Sequence, residues 1–361
     1  FFADAYSILR IHYYKKCNAN PIFNCNNLQA QILYMSAPGY DFGMIGLGTM
    51  GRNLLLNIAD HGFAAIGFDK DSSKATLLES SATPNTTVKG VTTLAEMVAQ
   101  LKTPRRIMML VPAGPIVDAV INDLLPLTQP GDIIIDGGNS HFTDTLRRVE
   151  FLKDKHVHFI GMGVSGGEEG ARRGPAIMPG GDVEAWHSLQ PILEAVSAKV
   201  NGDPCVAYMG KHAAGHYVKM VHNGIEYAIM QLISEAYDIL KRGIGLSNEK
   251  LHKTFKKWNE GELQSFLIEI TADVFAKKDD LTKQDLVDMI LDKAGSKGTG
   301  KWTSQEGMDL PVPIPVIDMA VAMRTISALK QERTNAAAVY KTETKSFSGD
   351  KEKNIQAVHD A

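Results

Sequence analysis

The chain has little of what marks secreted, membrane or nucleic-acid-binding proteins. Only three of its 361 residues are cysteines, Cys17, Cys25 and Cys205, and their spacing matches no metal-binding motif. We therefore expect no disulfide framework, and the reducing cytoplasm is the expected compartment. No apolar run reaches about eighteen residues, which argues against a membrane span. The formal net charge of −3 gives no broad basic surface, so nucleic acid is not an expected partner and an anionic ligand needs local cations and backbone N–H groups.

Residues 1–34 show neither helical nor strand periodicity. Asparagines and aromatic residues alternate, the segment begins with Phe1, and its basic residues follow an apolar start, which is the wrong order for a secretory signal. Met35-Ser36 precedes the first clear strand pattern. We interpret residues 1–34 as an artefact of upstream translation or an unstructured extension, and we exclude them from the predicted fold.

Strand and helix patterns alternate from Tyr40 to about residue 210, with short glycine-containing connections. Apolar runs predict strands at Phe42–Ile45, Phe63–Phe68, Ile107–Val111, Ile133–Ile135 and Val157–Ile160. This alternation is typical of a parallel sheet covered by helices on both faces. The sequence therefore predicts an α/β Rossmann-type domain over residues 35–210, with a doubly wound and mostly parallel sheet.

Helical patterns without a convincing strand follow Gly210. They predict helices at Lys211–Arg242, Asn248–Trp258, Glu262–Phe275 and Val316–Tyr340. Residues 211–361 are accordingly predicted to form an all-α domain. Lys353–Ala361 reads as the opening of an amphipathic helix that stops without a cap, which favours a C-terminally incomplete domain.

A glycine-rich turn directly follows the first predicted strand and begins a helix. Gly46, Gly48 and Gly51 form the pattern G-x-G-x-x-G, in which glycines allow a tight turn, close approach to a pyrophosphate and close helix packing. The free N–H groups and the positive dipole end of the helix suit phosphates. A lone motif of this kind can be a simple turn, but here the strand–turn–helix–strand context is complete and predicts dinucleotide binding.

The end of the second strand bears on the choice between NAD and NADP. Asp69 lies 23 residues after Gly46, where a carboxylate accepts hydrogen bonds from the ribose 2′-hydroxyl of NAD and repels the 2′-phosphate of NADP. Lys70 could offset that repulsion, and Asp69 or Asp71 could merely cap the helix that begins near Ser72. The residues favour NAD and leave the preference open.

Three segments carry groups that suit a phosphorylated sugar acid. Asp136–Ser140 follows a strand at its carboxyl end, and Val164–Gly170 offers glycine N–H groups to an anion, although each could be only a turn. The third segment is Gly215–Tyr227. On a helix, the spacing i, i+3, i+4, i+7 and i+8 places five polar residues on one face: Lys219, His222, Asn223, Glu226 and Tyr227. The alternative for this face is a solvated surface stripe.

A lysine and a glutamate two turns apart suit a general base and a general acid. Burial and cationic neighbours can lower the pKa of Lys219 enough for it to accept a hydroxyl proton near neutral pH, and Glu226 can stay protonated in a partly apolar pocket. Lys297 and Lys301, on a glycine-rich loop, and Arg324, in a helix, are candidate phosphate ligands, although each taken singly could be a surface charge.

The motifs together resemble those of the 6-phosphogluconate dehydrogenases, from Tyr40 to the C-terminus. They are GLGTMGRN at 46–53, IIIDGGNS at 133–140, GVSGGEEGAR at 163–172, GHYVKMVHNGIEY at 215–227, SFLIEITA at 265–272 and KGTGKWT at 297–303. The first motif is shared with the wider β-hydroxyacid dehydrogenases. The 215–227 helix and KGTGKWT are much more specific.

The resemblance implies a cytoplasmic homodimeric enzyme of the pentose phosphate pathway, without a metal. It oxidises 6-phospho-D-gluconate at C3, decarboxylates the 3-keto intermediate and protonates the enediol to ribulose 5-phosphate. Lys219 is then the base and Glu226 the acid. The implied substrate ligands are Asn139, Ser165, Gly166, Gly167, His222, Asn223, Tyr227, Lys297 and Arg324. The implied cofactor residues are Gly46, Leu47, Gly48, Thr49, Met50, Gly51, Asp69, Lys70, Asp71, Val111, Pro112, Ala113 and Asn139.

The chain departs from the family pattern in two places. NADP-using members carry Asn-Arg-Thr where this chain has Asp69-Lys70-Asp71, and often a lysine where it has Pro112. Both changes remove contacts to a 2′-phosphate, so NADP, the family default, competes with NAD. The family also continues with further helices and a tail that lends an arginine and a histidine to the partner subunit's substrate site.

Two other functions are compatible with parts of the sequence. A β-hydroxyacid dehydrogenase acting on a small unphosphorylated acid shares the glycine-rich turn, but it has no need of Lys297 and Arg324. A catalytically incompetent dinucleotide-binding fragment is the second, because an incomplete helical domain exposes apolar helix faces and weakens a dimer.

Overall fold

The computed structural model describes residues 39–340 and 346–361. Our interpretation of residues 1–34, including the start at Met35-Ser36, lies outside the described residues. Among the helices of the two described ranges, none is both long enough and apolar enough to cross a membrane.

Seven of the described strands form one sheet. They are β1 (Phe42–Ile45), β2 (Ala65–Phe68), β3 (Val88–Val91), β4 (Arg106–Met109), β5 (Ile133–Asp136), β6 (His158–Ser165) and β7 (Ala176–Gly181). Their order is β3-β2-β1-β4-β5-β6-β7, in which β1 to β6 run parallel and β7 pairs antiparallel with β6. The predicted mostly parallel, doubly wound sheet is confirmed.

Helices cover both faces of this sheet. They are α1 (Thr49–Asp60), α2 (Ser72–Ser80), α3 (Leu94–Ala99), α4 (Pro115–Leu124), α5 (Phe142–Lys153), α6 (Gly167–Arg173) and α7 (Val183–Val196), followed by a short hairpin of β8 (Lys199–Val200) and β9 (Asp203–Pro204). Successive strand residues enter different apolar cores, since Met44 packs with residues of α1 and α7 while Ile45 packs with residues of α3 and α4. This division is the reason the strands are apolar on both sides.

The rest of the described chain is helical, which confirms the predicted all-α second part. The elements are α8 (Ala214–Asp238), extended by a π-helical turn (Ile239–Gly243), then α9 (Asn248–Trp258), α10 (Phe266–Ala276), α11 (Leu286–Met289), α12 (Thr299–Asp309), α13 (Pro315–Ala328), α14 (Lys330–Tyr340) and α15 (Lys351–Asp360). A separate core forms where α9 and α10 pack through Phe255, Trp258 and Phe275.

Helix α8 joins the sheet to the helical part. It packs against β6 and β7 and also against α12 and α13. A Cβ at Gly215 would lie 2.6 Å from the backbone nitrogen of Gly180 and nearer still to the carbonyl oxygen of Gly161. The first turn of α8 therefore packs directly against the backbone of the sheet. This contact fixes how far the residues one turn further along the helix lie from the sheet.

Some element bounds differ from those predicted. The second strand begins at Ala65 rather than Phe63, and the helix predicted from Glu262 begins at Phe266, where the hydroxyl of Ser265 caps it. The single helix predicted over Val316–Tyr340 is wrong, because the backbone leaves helical geometry at Leu329, with φ −86° and ψ 55°.

Candidate active site

Three loops meet at the carboxyl edge of the central strands. β1, β4 and β5 are parallel neighbours, so the segments that follow them emerge side by side. A Cβ at Gly46 would lie 3.2 Å from Cγ1 of Val111, and a Cβ at Gly138 would lie 3.3 Å from the carbonyl oxygen of Val111. The loop after β4 thus touches the glycine-rich turn on one side and the loop after β5 on the other.

The glycine-rich turn has the form of an anion cradle. Gly46 has a φ of +91°, and a Cβ at Gly51 would overlap the Gly46 carbonyl oxygen, so both positions require glycine. Gly48 is the N-cap of α1 and has no side-chain cap, and a Cβ there would meet nothing within 4 Å. The first N–H groups of α1 therefore face open space, where a pyrophosphate fits.

Asp69 braces this turn from the neighbouring strand. Its Oδ2 accepts a hydrogen bond from the backbone N–H of Leu47 over 2.8 Å, and its Oδ1 accepts one from the N–H of Asp71 over 3.0 Å. Lys74 pairs with the same carboxylate at 3.3 Å. Asp71 caps α2 by accepting a hydrogen bond from the N–H of Ser73. The capping alternative thus holds for Asp71, while Lys70 is exposed.

The other predicted cofactor residues lie along the same edge. Thr49, Pro112, Ala113 and Asn139 are exposed there, and Met50 and Val111 are half-buried. Asn139 lies in the loop after β5, and β5 lies between β4 and β6 in the sheet.

Lys219 lies over β6 on the inner face of α8. The lysine is only 6% exposed, and a Cβ at Gly163 would lie 2.7 Å from its Cγ. Burial lowers the pKa of Lys219 below its usual range, and the carboxylate of Glu226 opposes that shift. Lys219, the predicted base, is therefore largely desolvated and lies over the carboxyl-terminal half of the parallel strand β6.

Glu226 and His222 lie further along the same helix. Nδ1 of His222 is 3.5 Å from Oε2 of Glu226, and both side chains are about one-third exposed. They border a groove of about 530 Å³ whose other lining residues include Ile225, Phe266 and Leu267. Glu226 thus reaches solvent-accessible space, whereas Lys219 does not.

The C-terminal end of the polar face of α8 contacts the KGTGKWT segment. This face consists of Lys219, His222, Asn223, Glu226 and Tyr227. The side-chain amide of Asn223 donates to Oγ1 of Thr299 over 3.3 Å, and the hydroxyls of Tyr227 and Ser296 are 3.4 Å apart. The guanidinium of Arg324 lies over the Tyr227 ring. Lys297 is exposed at the edge of this group. Two cations and a phenol are therefore brought together at one end of α8.

The loop after β6 lies beside the cofactor helix. Gly166 and Gly167 have φ values of +134° and +61°, and the side chain of Asn53 on α1 donates to Oε1 of Glu168 over 3.4 Å. Ser165 ends β6 two residues beyond Gly163. This predicted segment therefore contacts the cofactor helix α1 and directly follows the part of β6 on which Lys219 packs.

Two aromatic contacts that we did not predict join elements that carry predicted site residues. The rings of His141 and Trp302 meet edge to face with centroids 4.8 Å apart, and those of Phe142 and Tyr217 meet at 5.1 Å. They join His141, in the loop after β5, to α12, and they join the first residue of α5 to α8. The only sequence signal was that His141 and Trp302 stand next to or within recognised motifs.

Two family models match the chain. The NAD binding domain of 6-phosphogluconate dehydrogenase matches residues 41–235, and the C-terminal domain of 6-phosphogluconate dehydrogenase matches residues 215–361. Together they cover both the sheet with its helices and the helical part.

Individual relatives agree with the family models. The NADP(+)-dependent, decarboxylating 6-phosphogluconate dehydrogenase of Bacillus subtilis is 54% identical over 321 residues, which are 88% of this chain and 68% of that protein. The decarboxylating 6-phosphogluconate dehydrogenase of Lactococcus lactis is 51% identical over 323 residues, 89% of this chain and 68% of that protein. The solved 6-phosphogluconate dehydrogenase of Plasmodium falciparum superposes with a TM-score of 0.83 at 45% identity, covering 88% of this chain and 69% of that one.

Proposed function

The chain belongs to the 6-phosphogluconate dehydrogenase family, and from this premise we propose that it oxidises and decarboxylates 6-phospho-D-gluconate to D-ribulose 5-phosphate and CO2, reducing a nicotinamide dinucleotide. One observation carries the proposal. The buried Lys219 packs on Gly163 of β6, beside the same sheet edge at which Gly46–Gly51 forms a phosphate cradle.

The residues around the cradle fit a dinucleotide. The uncapped N-terminus of α1 and the open space above Gly48 would hold the pyrophosphate, and Asp69 at the end of β2 lies where an adenosine ribose is held in such folds. Val111, Pro112, Ala113 and Asn139, in the loops after β4 and β5, would contact the bound dinucleotide. When bound, the nicotinamide supplies a hydride acceptor for C3 of the substrate.

Lys219 acts first, as the base. Because burial favours its neutral amine, it accepts the C3 hydroxyl proton as the hydride leaves. The ammonium that results lies beside the new ketone and polarises its carbonyl. This provides the electron sink that loss of CO2 needs.

Glu226 then protonates the enediol. It lies two helical turns from Lys219, close enough for its charge to act on that lysine, and it lines a groove that is open to solvent. His222, 3.5 Å away, orients its carboxyl group. Base and acid are thus separate groups on one helix face.

The remaining predicted residues hold the substrate. Lys297, Arg324 and Tyr227 form the phosphate end, since a guanidinium and an ammonium both favour a dianion. Asn139, Ser165, Gly166, Gly167, His222 and Asn223 would bind the hydroxyls and the carboxylate.

Cofactor choice, assembly and location complete the proposal. The Bacillus subtilis relative is named as NADP(+)-dependent, whereas Asp69 favours NAD in this chain, so we propose that both cofactors are used. We also propose a cytoplasmic homodimer, because large apolar side chains such as Leu232 on α8 and Met319 on α13 are more than half exposed. The division into parts at residues 35–210 and 211–361 is part of the same proposal.

The test is a coupled assay of the purified protein. With 6-phosphogluconate and either NADP or NAD, we expect reduced nicotinamide and CO2 to form in equal amounts. Formation of reduced nicotinamide without CO2 would contradict the decarboxylation, and absence of both products would contradict the proposed function.

A further inference from the structure

Two glycines of β6 carry the face on which α8 rests. Gly161 and Gly163 are alternate residues of the strand, so they point to the same side of the sheet. On α8, His216 and Lys219 are one turn apart and face them. A Cβ at Gly161 would lie 2.8 Å from Nδ1 of His216, and a Cβ at Gly163 would lie 2.7 Å from Cγ of Lys219 and nearer still to its Cβ.

His216 also contacts α5, which packs beside this part of α8 and β6. It is 1% exposed, and its Nδ1 is 2.6 Å from Oγ1 of Thr145 on α5. The imidazole therefore ties α8 to α5, the helix that follows the loop containing Asn139.

We propose that Gly163 is a positioning residue for Lys219: the missing side chain lets α8 approach β6 so closely that the lysine side chain is held at a fixed distance from the carboxyl-terminal half of this strand. Gly161 and His216 form the second contact between β6 and α8. The inference rests on the proposed function of Lys219 as the base.

The contact at Gly163 has little freedom to relax. The group that an alanine methyl would meet is the root of the Lys219 side chain, whose position follows the helix backbone, and not its flexible end. An alanine must therefore lift or rotate α8. A displacement of about 1 Å at a reacting group can cost up to about 100-fold in rate.

The experiment compares Gly163→Ala with Gly261→Ala. Gly261 is a matched control, because a Cβ there would meet only the carbonyl oxygen of Trp258 at 3.8 Å, an ordinary contact. In Gly163→Ala we expect kcat to fall about 30- to 100-fold, while the dissociation constant of the cofactor stays within about threefold. Gly261→Ala should keep the kcat of the unsubstituted protein.

A kinetic isotope effect separates positioning from a loss of folded protein. With substrate deuterated at C3, a displaced base slows the hydride step, so the isotope effect on kcat should rise in Gly163→Ala. A smaller folded fraction would lower kcat and leave the isotope effect unchanged, and that result would overturn the inference.

A failure of this inference can be told apart from a failure of the proposed function. Lack of turnover in the unsubstituted protein would overturn the proposed function and this inference with it. Turnover with equal kcat and isotope effect in Gly163→Ala would overturn the inference alone. If Gly163→Ala does not fold, Gly161→Ala lifts the same helix at His216, and an unchanged isotope effect in that variant would overturn it equally.

Discussion

The guanidinium carbon of Arg324 lies 3.5 Å from the centroid of the Tyr227 ring. The same guanidinium donates to the carbonyl oxygen of Gly295, which precedes the KGTGKWT segment. Stacking and hydrogen bonding thus hold the guanidinium of Arg324 in a fixed plane at the end of the polar face of α8. A fixed planar guanidinium can bind two phosphate oxygens at once.

Arg324→Lys should weaken substrate binding without slowing the chemistry. Lysine keeps the charge but loses the planar fork and the ring stacking, so we expect KM for 6-phosphogluconate to rise at least about tenfold, or ~1.4 kcal/mol, with kcat within about threefold. Steady-state kinetics measure both. Arg242→Lys, on an exposed side chain paired with Asp238, is the matched control. A KM unchanged in Arg324→Lys would contradict the assigned phosphate end.

Asp69→Asn should shift the cofactor preference toward NADP. The amide oxygen can still accept the hydrogen bond from Leu47, but the negative charge that repels a 2′-phosphate is gone. We expect the ratio of kcat/KM for NADP to that for NAD to rise about tenfold. Asp123→Asn, which removes an exposed carboxylate of α4, should leave the ratio unchanged. An equal ratio in Asp69→Asn would exclude Asp69 as a determinant.

Arg148→Met should destabilise the fold far more than Arg147→Met. Both arginines pair with Asp118, but Arg148 is 1% exposed and also reaches the buried Asp136, whereas the side chain of Arg147 is 56% exposed. Removing Arg148 leaves a buried carboxylate without its cation, which costs about 3–5 kcal/mol. The exposed pair of Arg147 is worth below about 1 kcal/mol.

Urea unfolding of the two arginine variants measures this difference. Equal urea midpoints for Arg148→Met and Arg147→Met would contradict the stabilising role of the buried Arg148–Asp136 pair. Arg148 also donates to the carbonyl oxygen of Gly114 and pairs with Asp136, so its loss should loosen the loops that follow β4 and β5 beside the cofactor cradle.

Much of the sheet could be predicted because its strands are apolar on both faces. Phe42–Ile45 coincides with β1, and the predicted runs near Ile107 and Ile133 lie on β4 and β5. β7 was not predicted, because Pro179 and its following glycines are typical of a turn. Its antiparallel pairing with β6, with Met162 opposite Pro179, depends on tertiary contact.

The site was predictable in its residues and not in its contacts. The spacing of Lys219, His222 and Glu226 predicted a polar face, and the structure places these three side chains on one side of α8. That Asp69 reaches back to Leu47, or that Gly163 receives Lys219, follows from the approach of elements far apart in sequence, for which local patterns carry no signal. The break at Leu329 likewise lacks a proline or glycine to announce it.

The pH dependence of kcat/KM should show the lowered pKa of Lys219. Below that pKa the side chain is an ammonium and cannot accept a proton, so activity rises as the pH increases through it. Burial lowers the pKa, and Glu226 is the charged group that opposes the shift, so the rise should come below the usual lysine value of about 10.4. A rise centred near 10.4 would contradict the buried position.

Turnover of Lys219→Met tests the central claim most directly. Methionine keeps the length and the packing on Gly163 but cannot take a proton, so we predict that kcat falls about 10³-fold while the dissociation constant of the cofactor, measured by fluorescence titration, is unchanged. A Lys219→Met protein with kcat within tenfold of the unsubstituted protein would contradict the assignment of Lys219 as the base.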